Sequence, residues 1–291
     1  MSVNTTKKPA TSLEELYARN TAVPAHNVAW LLTGHSGSGK TTMATTGLEP
    51  VFFDFFDPQG PASVQAALKA GRRIVYDDRW TRFDPDDPTL IGEWAREHAR
   101  RRATPGFWEG VGTYVIDSWT MLEYAQRVAF EAELAQSGET LSGFRWGDMG
   151  RPLISRISAL LSLPCDVILI THLKNVAVRP KGALVEPPPI WRLAATGQLV
   201  TQLQVRFCER YVLAPIEMSV PDPKQSGKTI QTKQYKVLTQ AMGGYDAITR
   251  IGGGAFNTYE PANIKELRRK AGYATADKPH DAGKSAVDGK G

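Results

Sequence analysis

The sequence has few cysteines, no long apolar run and no large excess of charge of either sign. Only Cys165 and Cys208 are present among 291 residues, and their apolar surroundings favour reduced core thiols over a disulfide framework or a metal pair. No apolar stretch approaches the roughly 18 residues of a transmembrane helix, so we expect no contact with a membrane. Lys7 and Lys8 precede no apolar segment of the secretory type, which favours a cytoplasmic protein.

The overall charge is mildly basic, with 35 Lys and Arg against 30 Asp and Glu. This balance is compatible with nucleic-acid binding, although an ordinary soluble protein would explain it equally well. We predict a flexible arm and short helix over residues 1–22, and a single domain over residues 23–273. A disordered tail is predicted over residues 274–291, because that segment is polar and has no apolar period.

One glycine-rich segment, residues 34–42, dominates the functional interpretation. Its sequence GHSGSGKTT fits the phosphate-binding pattern G-x-x-x-x-G-K-[ST]. An apolar run of strand length precedes it, and a short helix stopped by Gly47 follows it, as the motif requires. Glycines let the backbone N–H groups wrap an anion, and the start of a helix adds a partial positive charge. The sequence therefore predicts ATP binding, with a purely structural glycine turn as the alternative.

The motif assigns roles to individual residues. The predicted nucleotide-binding residues are Gly34, Ser36, Gly37, Ser38, Gly39, Lys40, Thr41 and Thr42. Lys40 is expected to reach the β- and γ-phosphates, and the Thr41 hydroxyl is expected to ligate Mg²⁺. Asp117 ends the apolar run 114–116 downstream of the loop, so we expect it to hold the same Mg²⁺ through water. A turn residue at the end of a strand is the alternative for Asp117.

Apolar strands alternate with helices along the chain, and each strand is almost continuously apolar. This pattern predicts an α/β fold with a mostly parallel sheet flanked by helices on both faces. Strands are predicted at 51–54, 72–76, 114–118 and 166–171, and helices at 90–102, 122–136 and 152–163. A hairpin is predicted over 175–189, with paired strands 176–178 and 183–185. The basic run Arg100 to Arg102 is interpreted as the end of a helix in preference to a DNA-binding patch.

The chain resembles the phage-encoded RecA-like ATP-binding proteins, which are minimal recombinase-core ATPases associated with single-strand annealing. The resemblance spans 28–272 and is carried by the glycine-rich loop and by segments 51–54, 114–118, 146–147, 167–172 and 195–199. It implies a RecA-like P-loop NTPase core, in which the strand ending in His172 lies between the P-loop strand and the Asp117 strand. It also implies a homo-oligomer with ATP at subunit interfaces, single-stranded DNA on loops after the later strands, and an annealing or single-strand-binding protein partner.

Two positions depart from the family pattern. Members usually carry Asp-x-Glu after the second strand, whereas here Phe56 occupies the glutamate position and Asp57 follows it. We therefore expect Asp57 or His172 to orient the attacking water, with the carboxylate favoured; a hydrogen-bonded histidine at a strand end is the alternative for His172. A C-terminal pair of basic residues in the family matches Ile248 and Arg250, so only Arg250 is expected to reach a neighbour's phosphate.

Three functions remain open at this stage. The first is a DNA-stimulated ATPase of the recombinase class, with Lys174, Arg179 and Lys181 as DNA contacts; a solvated hairpin is the alternative for these residues. The second is a nucleotide or small-molecule kinase, which would need an arginine-bearing lid over a second substrate. The third is a protein that binds ATP and assembles but hardly hydrolyses it, as Phe56 in place of an acid would allow.

Overall fold

The computed structural model describes Ser12 and residues 27–82, 84, 87–140, 145–177, 188–207, 209–221 and 229–278. The strands in these ranges are β1 (Ala29–Gly34), β2 (Val51–Phe55), β3 (Ile74–Asp77), β4 (Thr113–Asp117), β5 (Asp166–Thr171), β6 (Leu173–Asn175), β7 (Trp191–Leu193), β8 (Glu209–Pro221), β9 (Thr229–Leu238) and β10 (Tyr259–Pro261). The helices are α1 (Lys40–Ala44), α2 (Gly60–Ser63), α3 (Gln65–Lys69), α4 (Leu90–Ala103), α5 (Trp119–Gln136), α6 (Arg145–Leu161), α7 (Gly197–Arg206) and α8 (Ile264–Lys270), with a 3₁₀ turn at Arg79–Thr81.

Eight strands form one sheet in the order β10-β9-β8-β1-β5-β4-β2-β3. The six strands from β8 to β3 run parallel, while β9 and β10 are added antiparallel at one edge. Strand β5 lies between β1 and β4, which confirms the strand order that the family resemblance implied. The mostly parallel α/β fold predicted from the sequence is also confirmed. This order places the carboxyl ends of β1, β5 and β4 side by side at one edge of the sheet. Ligands bind beyond the carboxyl ends of parallel strands, so a binding site is expected there.

The sheet is buried on both faces, so each of its central strands contributes side chains to two cores. Leu31 packs into the core that Trp94 of α4, Trp119 of α5, Leu153 of α6 and Leu199 of α7 share. The neighbouring residues of β1, Trp30 and Leu32, point to the opposite core, which includes side chains of α1 and α8. Two buried faces explain why these strands are apolar at nearly every position instead of alternating.

The predicted hairpin is present, but its strands pair outside the predicted positions. Leu173–Asn175 pairs antiparallel with Trp191–Leu193, whereas Val176 and Ala177 belong to no strand. The predicted strand 183–185 lies outside the described residues. The short apolar triplets 176–178 and 183–185 do not alternate in polarity, so they carried no information about the pairing register.

The end of the domain also differs from the prediction. Residues 274–291 were expected to be a tail, yet the Lys278 N–H donates to Glu49 O at 2.9 Å and Arg73 donates to Lys278 O at 2.7 Å. Lys265 bonds the carboxylate of Asp277 at 2.8 Å. The packed domain therefore extends to at least Lys278, and the rest of the predicted tail, residues 279–291, lies outside the described residues. In the described part of the chain, no helix has both the length and the apolar character needed to cross a membrane.

A fully buried carboxylate joins β2 to α4. Asp54 accepts hydrogen bonds from the indole of Trp94 at 2.8 Å, the indole of Trp80 at 3.3 Å and the hydroxyl of Tyr114. Arg101 of α4 donates to both of its oxygens, at 2.8 and 3.1 Å. The basic run at the end of α4 therefore does more than complement the helix dipole, because its middle arginine neutralises a charge inside the core.

We expect Arg101→Ala to destabilise the protein by roughly 3–5 kcal/mol, since it leaves the Asp54 charge buried and uncompensated. Urea unfolding followed by circular dichroism measures the change. Arg100→Ala is the matched control, because Arg100 is one residue away and its side chain is 68% exposed, against 4% for Arg101. Equal effects of the two substitutions would contradict a special role for the buried pair.

Candidate nucleotide site

The glycine-rich loop leaves the end of β1 and enters α1 in a conformation that its glycines permit. A Cβ at position 34 would lie 2.7 Å from Leu213 O, so only glycine fits beside β8. Gly39 has φ of 88°, in the left-handed region that side chains disfavour. The Lys40 ammonium folds across the loop and donates to Gly34 O at 2.9 Å and to His35 O at 2.8 Å. The loop thus holds a cation at its centre.

The polar groups of this loop fit a bound phosphate. The Ser38 hydroxyl is buried and has no hydrogen-bond partner in the described part of the chain, so a ligand oxygen would satisfy it. Burial lowers the pKa of Lys40, while the carboxylates of Asp117 and Asp57 oppose that shift. The negative charge of a bound phosphate would further stabilise the charged form of this buried ammonium. Buried, unpaired donors of this kind are what an anion site requires.

Two oxygen donors meet at the predicted magnesium position. The Thr41 hydroxyl donates to Asp117 Oδ2 at 2.6 Å, which brings the start of α1 to the end of β4. A hydroxyl and a carboxylate are ligands that Mg²⁺ prefers, so the residues fit the ion that the P-loop motif implies. When bound, Mg²⁺ would neutralise phosphate charge. The protein's contribution is to hold Thr41 and Asp117 together.

The environment of Asp117 is unfavourable for a charge. Burial raises the pKa of Asp117 to about 6, helped by the nearby Asp57 carboxylate and opposed by the Thr41 hydrogen bond and by Lys40. Ionisation of this carboxyl group therefore costs more in the ligand-free fold than in water. A divalent cation would favour its charged form, because the attraction replaces the hydration that burial removes.

Asp57 and His172 reach the same site from the ends of β2 and β5, the two strands on either side of β4. The N–H groups of Phe56 and Asp57 donate to Asp117 O at 2.6 and 3.0 Å, so the turn after β2 is fixed on the end of β4. The His172 N–H donates to Thr120 Oγ1 at 3.1 Å. Burial and Lys40 lower the pKa of His172, which keeps its imidazole neutral at pH 7. A carboxylate and a neutral imidazole thus stand beside the loop.

The side chain of Phe56, which occupies the glutamate position of the family pattern, points into the core and away from the site. Phe56 is 1% exposed and packs edge-on against Trp94, with ring centroids 5.6 Å apart. Asp57, one residue later, lines the cleft instead. The single-residue offset therefore leaves an acidic side chain at the nucleotide loop.

A cleft of about 400 Å³ contains most of the predicted site residues. Those that line it are Ser36, Gly37, Ser38, Gly39, Lys40, Thr41, Thr42, Asp57, Asp117 and His172. Gly34 takes part through its carbonyl, which binds Lys40. Tyr235 and Gln59 also line the cleft, and no motif in the sequence pointed to either.

The remaining predicted residues lie elsewhere or cannot be placed. Arg250 is exposed and does not line this cleft; its N–H donates to the buried Glu209 at 2.8 Å. The Lys174 ammonium donates to Ala195 O at 2.8 Å. This hydrogen bond connects β6 to the segment before α7. Arg179 and Lys181 lie outside the described residues.

The glycine-rich loop also contacts the small hairpin. The rings of His35 and Trp191 meet edge to face with centroids 4.4 Å apart, and Trp191 stacks on Tyr245. Sequence reasoning did not identify this contact, because His35 occupies a variable position of the phosphate-binding pattern. The contact links the first residue of β7 to the nucleotide loop.

The fold and the cleft together define a P-loop nucleotide-binding protein. The family model described as AAA domain matches residues 26–184, a range that includes the glycine-rich loop, Asp57, Asp117 and His172. The chain therefore belongs to the AAA domain family, whose P-loop ATPase domain supports ATP binding.

Comparisons beyond the family add little. The flagellar accessory protein FlaH from Methanocaldococcus jannaschii is similar over 82% of this chain and 89% of its own. Its identity to this chain is 12% and its TM-score is 0.34, too low to support a conclusion about function. No curated protein matches the chain.

We expect Asp117→Asn to stabilise the ligand-free protein at pH 8. The folded-state pKa of about 6 lies above the ordinary 3.8, so folding favours the protonated carboxyl group. That contribution is present below about pH 4 and is lost as the pH rises through 6. Asparagine stays neutral, so the unfolding free energy should rise by roughly 1–3 kcal/mol at pH 8 and change little at pH 4. Urea unfolding at both pH values measures it; a destabilised variant at pH 8 would contradict this account.

Proposed function

We propose that this protein is a DNA-stimulated ATPase of the RecA-like recombinase class, acting in recombination, annealing or repair of phage DNA. One observation carries the proposal. The hairpin of β6 and β7, whose loop contains two basic residues by sequence, meets the nucleotide site at two places: it follows directly on His172, which lines the cleft, and its Trp191 packs against His35 of the glycine-rich loop. Binding of nucleotide at one place and of a polynucleotide at the other would therefore affect each other.

The two connections are of different kinds. At the first end, His172 lines the cleft and is followed directly by Leu173, the first residue of β6. At the second end, Trp191 begins β7 and packs against His35 of the glycine-rich loop. A short two-stranded element fixed at both ends transmits a shift at the cleft to its loop. The basic residues Arg179 and Lys181 within that loop suit the phosphates of single-stranded DNA.

The cleft contains several of the groups that hydrolysis of ATP requires. Phosphoryl transfer to water requires charge neutralisation and a positioned water more than covalent chemistry. Lys40 supplies the positive charge, and Thr41 with Asp117 supplies ligands for Mg²⁺. Asp57 orients the attacking water, since it is a carboxylate at the edge of the cleft, and His172 is the second polar group there.

A neighbouring subunit completes the site. Arg250 is exposed, and its backbone is anchored to Glu209, so its side chain is available to another copy of the chain. An arginine supplied in trans would neutralise charge that develops on the transferred phosphate. The active form is therefore a homo-oligomer that assembles with ATP, together with an annealing or single-strand-binding protein as partner.

We expect the purified protein to hydrolyse ATP slowly with Mg²⁺ and faster when single-stranded DNA is added. Lys40→Ala should reduce both rates by about a hundredfold or more, because it removes the cation that stabilises the transferred phosphate. Phosphate release is the measurement, and Lys69→Ala, an exposed lysine on α3, is the control.

Other outcomes of this experiment point to other functions. Phosphate transfer to a nucleoside monophosphate with no response to DNA would indicate a kinase. Tight ATP binding with no turnover would indicate an assembly protein that uses ATP as a structural ligand. Either result would overturn the proposed ATPase activity.

The loop between β6 and β7 can be tested separately. Arg179→Ala combined with Lys181→Ala should weaken single-stranded DNA binding and reduce its dependence on salt, since each phosphate contact releases a counterion. ATP hydrolysis without DNA should stay within about twofold. Fluorescence anisotropy at several salt concentrations measures binding, with Lys69→Ala plus Arg269→Ala as a control of equal charge. Unchanged DNA affinity in the loop variant would remove this loop from the proposal.

A further inference from the structure

The nucleotide cleft continues beyond the phosphate-binding loop. Besides the loop, its lining includes Thr42 and Met43 of α1, Tyr235 of β9 and Ala262 after β10. Its volume of about 400 Å³ lies within the range of small-molecule pockets, about 300–1,000 Å³. The geometry therefore provides room for the remainder of a nucleotide.

The strand register places Tyr235 level with the glycine-rich loop. Gly34, the last residue of β1, pairs with Leu213 of β8, and Leu213 pairs with Val237 of β9. Tyr235 comes two residues before Val237 in β9, which runs antiparallel to β8. It is therefore level with the segment after Gly34, where β1 has ended and the loop begins. Because side chains alternate along a strand, Tyr235 shares the face of Val237, which packs in the same core as Met43 of α1. Its ring therefore extends the α1 face of the sheet into the cleft.

Tyr235 is an aromatic side chain with one covered side and one open side. A Cβ at position 39 would lie 3.1 Å from Tyr235 Cδ1, so the ring rests directly on the backbone of Gly39. The side chain is nevertheless 49% exposed, and it has no hydrogen-bond or ring partner among the described residues. The missing side chain of Gly39 is what allows the ring to lie so close to the loop.

We infer that Tyr235 is the stacking surface for the base of the bound nucleotide. The inference rests on the proposed nucleotide-binding function and adds the part of the site that holds the base. An aromatic ring offers a π-face to any base, so it contributes affinity and orientation without reading the exocyclic groups. The phosphates are held by the loop, and Tyr235 fixes the other end of the molecule.

A simpler role for Tyr235 is to support the loop through its contact with Gly39. The two roles differ in what they predict for a ligand without a base. Loss of a loop support would weaken every ligand that binds through its phosphates. Loss of a stacking surface would weaken only ligands that carry a base, and inorganic tripolyphosphate separates the two cases.

Isothermal titration calorimetry with Mg²⁺ should compare ATP with inorganic tripolyphosphate. We expect Tyr235→Ala to weaken ATP binding roughly tenfold or more, as loss of one base–aromatic stack does, and to leave tripolyphosphate binding within about twofold. Tyr235→Phe keeps the ring and should bind both ligands like the native protein. Tyr259→Ala is the matched control, because Tyr259 lies on the adjacent strand, is 39% exposed and does not line the cleft.

The possible results separate this inference from the function on which it rests. If Tyr235→Ala weakens both ligands equally, or neither, the stacking role is wrong while nucleotide binding stands. If Tyr235→Phe weakens ATP as much as Tyr235→Ala does, the hydroxyl and not the ring is responsible, and the stacking role is again wrong. If the native protein binds neither ligand, the proposed function and the inference are both wrong.

Discussion

The insertion of β5 between β1 and β4 is the constraint on which the site depends. Thr33 pairs with Thr171 on one side of β5, and Asp117 pairs with Ile170 on the other. The three strands therefore end at the same level. The glycine-rich loop, His172 and Asp117 follow from those ends, and none of them needs a long loop to reach the others. The backbone hydrogen bonds from the turn after β2 to Asp117 O add Asp57 to the group.

The buried carboxylates Asp54, Asp166 and Asp117 lie in two kinds of environment. Asp166, at the start of β5, is held by Arg268 at 2.7 Å and by the Val28 N–H at 2.9 Å, much as Asp54 is held by its own arginine and its indole and hydroxyl donors. These charges are satisfied within the fold and join distant segments. Asp117, by contrast, has a single hydroxyl as its side-chain partner. The incomplete neutralisation of Asp117 favours binding of a cation and lowers the stability of the ligand-free fold.

The nucleotide cleft lies at the meeting point of rigid and less tightly packed elements. On one side are the central strands and α1, whose side chains are buried in two continuous cores. On the other side are the two-stranded hairpin and the end of β9, which contact the loop through Trp191 and Tyr235, respectively. Both contacts are made by aromatic rings against the loop. A ligand at the loop therefore lies close to both aromatic contacts.

The sequence by itself determined the α/β class, the phosphate loop and the pairing of Thr41 with Asp117, because apolar runs and a glycine pattern are local features of the chain. It also indicated Asp57 despite the offset at Phe56. Other features came from contacts between segments far apart in the chain. The burial of Arg101 on Asp54, the hairpin register, the docking of Lys278 and the position of Tyr235 beside Gly39 were decided by the tertiary structure. Sheet order and strand register fix those contacts, and no local pattern encodes which strand ends become neighbours.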